Sequence, residues 1–220
     1  MIKRSEQIKE LFEEIGSAMK TKAVIYVIGG GVLLIRGLKP STKDIDLVVD
    51  SKEDFEEVTN ALRRIGFKAK KINRLYERFD LAYQLIREDF QIDLFCKKVC
   101  SKFQLSKNMK KRSEKLFSLA QLNVLLCSNE DIFLFKTMTE RPGDIPDCVS
   151  LIQRGLEWNA VISELEHQVK SYGEDVWVTW IGERLDLLEK QGLNIPIMKE
   201  VDVLREKYFD DLEKRQRKKG

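Results

Sequence analysis

Two carboxylates two residues apart, Asp44 and Asp46, stand a short distance after the glycine run Gly29-Gly30-Gly31. Within the run Asp44-Ile45-Asp46-Leu47-Val48-Val49 the pattern is that of a strand. Side chains alternate along a strand, so Asp44 and Asp46 fall on one face while Ile45, Leu47 and Val49 enter the opposite, buried one. Glycines at the mouth of a helix let the backbone approach an anion closely, and the first-turn N–H groups there lack partners within the helix. Paired carboxylates beside such a turn suit a metal-bound triphosphate. A tight turn followed by a solvated strand end accounts for either half alone, so a third carboxylate is the feature to look for.

The elements that must position these groups can be read from hydrophobic spacing. Ile8, Leu11, Phe12, Ile15 and Met19 recur at helical spacing and predict a helix over residues 5–20 that packs on a sheet. A strand over 24–28 delivers the glycine turn, and a short helix over 32–35 leads to Gly37, Pro40 and the aspartate strand. Ser51-Lys52-Glu53-Asp54 reads as a helix start, Phe55, Val58, Leu62 and Ile65 as its apolar stripe, and Gly66 as its stop. The runs 81–86 and 90–95 alternate as two strands joined by Arg87-Glu88-Asp89, an antiparallel hairpin. Asp93 lies in the second run between Ile92 and Leu94, where a charge is costly to bury unless it is paired or metal-bound.

Gly29-Gly30, the Arg36-Gly37 step and Thr42-Lys43-Asp44-Ile45-Asp46 resemble the signature of the DNA polymerase β-type nucleotidyltransferase superfamily, a glycine pair followed by Asp-x-Asp. They look most like the small prokaryotic and archaeal members that include the abortive-infection toxin group. The resemblance implies an α/β fold, a mixed-sheet nucleotidyltransferase core over residues 1–127 followed by a helical region over 128–220. It also makes Asp93 the match for the third carboxylate of the superfamily, on a strand beside the Asp-x-Asp strand.

By the same resemblance Asp44, Asp46 and Asp93 would be both the catalytic residues and the ligands of two Mg²⁺ ions, replaceable by Mn²⁺, with Asp93 as general base. Two such ions stabilise the entering and leaving oxygens of an in-line displacement at phosphorus. The implied activity moves a nucleoside monophosphate from a nucleoside triphosphate to a hydroxyl and releases pyrophosphate. Gly29 and Gly30 would cradle the triphosphate. Many members have serine where this chain has Gly30, so backbone donors, or Ser41 and Thr42, would replace that hydroxyl. Lys136 matches a cleft lysine that would neutralise triphosphate charge, and Asp147 a later cleft aspartate. The departure at Gly30 motivates an alternative, a non-catalytic nucleotide-binding or scaffold protein of the same fold.

Composition bounds the partners. At 220 residues, 34% charged and net +3, the chain has dense mixed-sign surfaces rather than a basic field. Lys97, Lys98, Lys102, Lys107, Lys110, Lys111, Arg112 and Lys115, with Phe103 among them, read either as contacts for RNA phosphates or as a lysine-protected strand edge. A tRNA or other RNA is the acceptor that the basic segments and the toxin-like resemblance suggest, with a small molecule or protein side chain also open, and a protein antitoxin is a possible partner. Cys96, Cys100, Cys127 and Cys148 lack zinc spacing, and one histidine, His167, excludes a histidine dyad. No apolar run approaches a membrane span and the N-terminus lacks a secretory signal, so a cytoplasmic protein is expected.

Further along, a strand over 122–126 precedes a helix begun by Ser128 and stopped at Arg141-Pro142-Gly143. From residue 145 the pattern is helical. Trp158, Trp177 and Trp180 are expected in helix packing rather than as a base-stacking platform. A final helix after Asn194-Ile195-Pro196 carries Val201, Leu204, Tyr208 and Leu212 on one face and ends in the basic run 214–219, which includes Lys218 and Lys219.

Overall fold

A computed structural model describes residues 1–70, 83–99, 103–172 and 175–217. Leu81, Ala82, Cys100, Lys102, Lys218 and Lys219 lie outside the described residues. The chain divides into two compact units, Met1–Ser128 and Asn129–Gly220.

In the first unit, α1 (Ser5–Ala18) buries Ile8, Leu11, Phe12 and Ile15, the stripe expected from their spacing. It ends two residues before Lys20, with Met19 as an extended C-cap. The strands are β1 (Ala23–Ile28), β2 (Ile45–Val49), β3 (Lys68–Ala69), β4 (Tyr83–Arg87), β5 (Phe90–Cys96), β6 (Glu114–Ser118) and β7 (Leu122–Leu126). They form one mixed sheet in the order β3-β4-β5-β2-β1-β7-β6. This is the α/β architecture expected. β2 runs antiparallel to β1 and parallel to β5, and every one of its residues is buried, as befits a central strand of a covered sheet.

Among the described residues three helices join the strands. α2 (Gly29–Ile35) starts directly from β1, so the glycines form its first turn instead of preceding a helix at Val32. α3 (Lys52–Arg64) packs on β1, β2 and β5. Its start is as expected, because Ser51 Oγ accepts from the Asp54 N–H at 3.0 Å. α4 (Lys107–Arg112) and the edge strand β6 occupy the lysine-rich stretch. Phe103 is fully buried there, which makes it core and removes it from any stacking surface. Lys97, Lys107, Lys111 and Lys115 are exposed, and Lys110 Nζ pairs with Asp50 at 2.6 Å.

The second unit is helical: α5 (Asn129–Thr137), α6 (Asp144–Arg154), α7 (Trp158–Tyr172), α8 (Trp177–Lys190) and α9 (Met198–Arg217). Its core gathers Ile132, Phe133, Leu151, Val161, Leu165, Trp177, Ile181 and Leu185. Trp158 packs edge-on against Phe133, with ring centroids 5.6 Å apart. Trp177 is buried, and Trp180, on the same helix, is 38% exposed. α9 keeps its apolar stripe but buries only Val201 among its residues. Among the described residues no helix is long and apolar enough to cross a membrane.

Candidate active site

Register brings the carboxylates together. In the parallel pairing of β2 with β5, Asp46 stands opposite Asp93. Asp44 immediately precedes β2 and shares a face with Asp46 by alternation. Its charge is felt at Asp93, where burial first and then Asp44 push the carboxyl above the ordinary range, against the hydrogen bonds of Gln84 and Gln91. Like charges in a partly dry site behave this way, since each ionised group makes its neighbour harder to ionise.

The glycine turn closes on the same carboxylates. Gly29 has φ +64°, a left-handed conformation that side chains disfavour, and a Cβ there would run into Asp46 Oδ2. Gly29 therefore lets the β1–α2 backbone lie directly against the Asp46 carboxylate. At Gly30 a Cβ would come 2.5 Å from Thr42 Oγ1. The space that a serine at position 30 would need is thus filled by the hydroxyl of Thr42, which donates to the Asp44 carbonyl at 3.0 Å. Thr42 is itself pinned by a two-way backbone bridge to Ile2, each N–H···O at 2.9 Å. Ser41, its neighbour, is half-buried.

Two amides hold Asp93. Gln84 Nε2 donates to both of its oxygens, at 3.2 and 3.1 Å, and Gln91 Nε2 donates to Oδ1 at 3.0 Å. Gln84 faces Asp93 across the β4–β5 pair and Gln91 precedes it by two residues on the same strand face. Lys70 Nζ donates to Gln91 Oε1 at 3.1 Å, and the Lys70 N–H reaches the Gln84 carbonyl at 2.9 Å. These three residues escape a reading by motif. The signal that finds them is the hairpin register, which pairs position 84 with 93 once the turn at 88–89 is placed.

Lys136 and Asp147 come together in the second unit. Lys136 is 6% exposed, and its Nζ bridges Asp144 Oδ1 at 3.0 Å and Asp147 Oδ2 at 2.8 Å. Asp144 also accepts from Thr139 Oγ1 at 2.5 Å and from the Arg141 N–H at 3.1 Å. Burial lifts the Asp144 carboxyl, but the Thr139 hydroxyl and the charges of Lys136 and Arg141 outweigh it and hold it below the ordinary range. Lys136 loses basicity to burial and regains more from Asp147 and Asp144, so it stays protonated. The lysine thus neutralises two carboxylates within its own unit. Cys148, beside this network, is pushed up to about 12 by burial and is an inert thiol.

The donor set of Asp44, Asp46 and Asp93 is all oxygen, which suits Mg²⁺. Among the described residues no three of His, Cys, Asp or Glu form a ready-made metal cage. Mg²⁺ ordinarily takes one or two carboxylates and completes its shell with substrate phosphates and water, so the set fits such an ion.

A mixed sheet that places an Asp-x-Asp strand parallel to a third aspartate, with a glycine turn against it, is a nucleotidyltransferase core. Residues 5–178 match the model of a family described as nucleotidyltransferase of unknown function (DUF6036), and the chain belongs to that family. Among solved structures it is similar to the antibiotic-resistance factor ANT(2'')-Ia in solution, at 13% identity and TM-score 0.50, covering 77% of this chain and 95% of that one. A crystal structure of ANT(2'')-Ia with adenylyl-2''-tobramycin aligns at 12% identity and TM-score 0.49, covering 75% and 99%. JHP933 from Helicobacter pylori aligns at 15% identity and TM-score 0.40, covering 97% and 95%. No curated protein matches the chain.

Proposed function

We propose that this nucleotidyltransferase moves a nucleoside monophosphate from a nucleoside triphosphate to an acceptor hydroxyl, and that the acceptor is RNA. The observation that carries the reading is the pairing of Asp46 with Asp93 on adjacent strands, with Asp44 on the same face and the Gly29 backbone against Asp46. Asp44, Asp46 and Asp93 would hold Mg²⁺, or Mn²⁺ in its place, and the bound metal would supply charge neutralisation at the phosphates and at the entering and leaving oxygens.

The chain's own groups do the rest. The acceptor oxygen forms a bond to the α-phosphorus, the bond from that phosphorus to the bridging oxygen breaks, and pyrophosphate leaves with the bonding pair. Asp93 takes the hydroxyl proton. Its carboxyl, lifted by burial, holds a proton more readily than an exposed aspartate would. Gly29 and Gly30 offer backbone at the triphosphate, and Ser41 and Thr42 flank it with hydroxyls. Lys136, which the sequence resemblance places at the nucleotide, is engaged by Asp144 and Asp147, so this reading assigns it a structural role. The exposed Lys97, Lys107, Lys111 and Lys115 support a polyanionic acceptor. A tRNA substrate and a protein antitoxin extend the reading along the sequence resemblance.

The test is incubation with each of four α-³²P-labelled ribonucleoside triphosphates, Mg²⁺ and total RNA, with wild type and Asp44→Asn/Asp46→Asn. Label in RNA with the wild type alone is expected; label confined to small molecules or protein would overturn the acceptor assignment. A second reading, nucleotide binding without turnover, is favoured by Gly30 and by the engagement of the Thr42 hydroxyl with the Asp44 carbonyl. It predicts that the double variant binds nucleotide as the wild type does and that neither transfers label.

A further inference from the structure

We infer that Gln84 and Gln91 are positioning residues that hold Asp93 as an aimed carboxylate for metal binding, with amides and no cation bonded to it among the described residues. The inference rests on the reading of Asp93 as a metal ligand given above.

The argument begins with hydrogen-bond direction. An ionised carboxylate only accepts and a lysine ammonium only donates. Gln91 lies between one of each, so its amide orientation is determined: Oε1 faces Lys70 Nζ at 3.1 Å and Nε2 faces Asp93 Oδ1 at 3.0 Å. Gln84 straddles the carboxylate from the opposite strand, reaching both oxygens. Two N–H groups from different strands fix both the position and the rotation of the Asp93 carboxyl plane. Each carboxylate oxygen has two lone-pair directions, so acceptor capacity remains after these bonds.

Choice of partner matters as much as geometry. A lysine or arginine against Asp93 would orient it equally well but would cancel its charge and compete with a cation. Amides stabilise the anion while leaving its net charge in place. Among the described residues the positive charge in the network stands one residue further out, at Lys70, where it polarises Gln91 without touching Asp93. The row Lys70, Gln84, Asp93, Asp46 follows the strand pairings from β3 to β2, so the sheet itself carries the arrangement. Outer partners of this kind set ligand orientation in metal sites.

The test uses the full chain and Mn²⁺ alone, with free Mn²⁺ counted by electron paramagnetic resonance. Methionine is close to glutamine in size and shape but lacks the donors. Gln84→Met/Gln91→Met should raise the Mn²⁺ dissociation constant about tenfold, the lower end of the usual cost of losing such partners. Each single variant should raise it about threefold, and these serve if the double variant does not fold. In an Asp93→Asn background the same substitutions should change Mn²⁺ affinity no further, because their effect passes through that carboxylate. A merely structural role would lower the melting temperature and leave Mn²⁺ affinity unmoved, which would overturn the inference. Failure of the wild type to bind Mn²⁺, or binding indifferent to Asp44→Asn/Asp46→Asn, would instead remove the metal-site reading beneath it.

Discussion

Gly29→Ala is the sharpest probe of how the glycine turn and the aspartate strand fit together. The substitution has two separable costs. Holding alanine at φ +64° costs about 1–2 kcal/mol, and its Cβ would overlap Asp46 Oδ2, an overpacking that costs about 1–3 kcal/mol. The sum is about 2–5 kcal/mol. In an Asp46→Ala background the carboxylate is gone and only the backbone part, about 1–2 kcal/mol, remains. All three tryptophans lie in Asn129–Gly220, so fluorescence does not follow the unit that holds the site. Urea-dependent hydrogen exchange of the β1 and β2 amides does. Equal costs in the two backgrounds would refute the contact between Gly29 and Asp46, and no cost in either would refute the left-handed conformation as well.

Gly30→Ser should destabilise the first unit by about 1–3 kcal/mol, because Thr42 Oγ1 fills the space of the new side chain; Thr42→Ala should relieve much of that loss in the same exchange measurement. Lys136→Met should lower the fluorescence-monitored stability of the second unit by about 3–5 kcal/mol, since it leaves Asp144 and Asp147 buried without their shared cation. If Lys136 instead contacts nucleotide, KM would rise with little loss of stability. Asp93 has a raised carboxyl in the folded state, so its contribution is fully present below the ordinary carboxylate value of about 4 and is lost as pH rises through the raised value. Metal-free Asp93→Asn should therefore be more stable than wild type at pH 7, with the difference shrinking as pH falls through the raised value and gone below about pH 4, as read from denaturant midpoints.

The parts of this molecule that were legible in the sequence are those specified by neighbours in the chain. The stripe Ile8, Leu11, Phe12 and Ile15 predicted α1, and Ser51 with Asp54 predicted the start of α3. Alternation around Asp44, Asp46 and Asp93 predicted two strands, and the hairpin before Asp93 is present as β4 and β5. What escaped depends on partners remote in sequence. Gln84 and Gln91 look like ordinary strand residues until the register sets them against Asp93. Lys136 reads as a solubilising or cleft lysine because its second partner, Asp144, comes eight residues later, beyond the reach of helical spacing. β6 falls at the end of the lysine-rich stretch and carries Lys115, which sits well on an exposed sheet edge. In α9 the stripe read from spacing is the covered face, with Val201 buried and Leu204, Tyr208 and Leu212 half-buried, whereas Phe209, off that stripe, is 51% exposed.

The most direct test of the transferase account follows the two ends of the triphosphate separately. Parallel reactions with α-³²P- and γ-³²P-labelled ribonucleoside triphosphates, Mg²⁺ and the RNA acceptor should place the α label in the acceptor and the γ label in pyrophosphate, both dependent on Asp44 and Asp46. Transfer of the γ label to the acceptor, or of neither label, would contradict it.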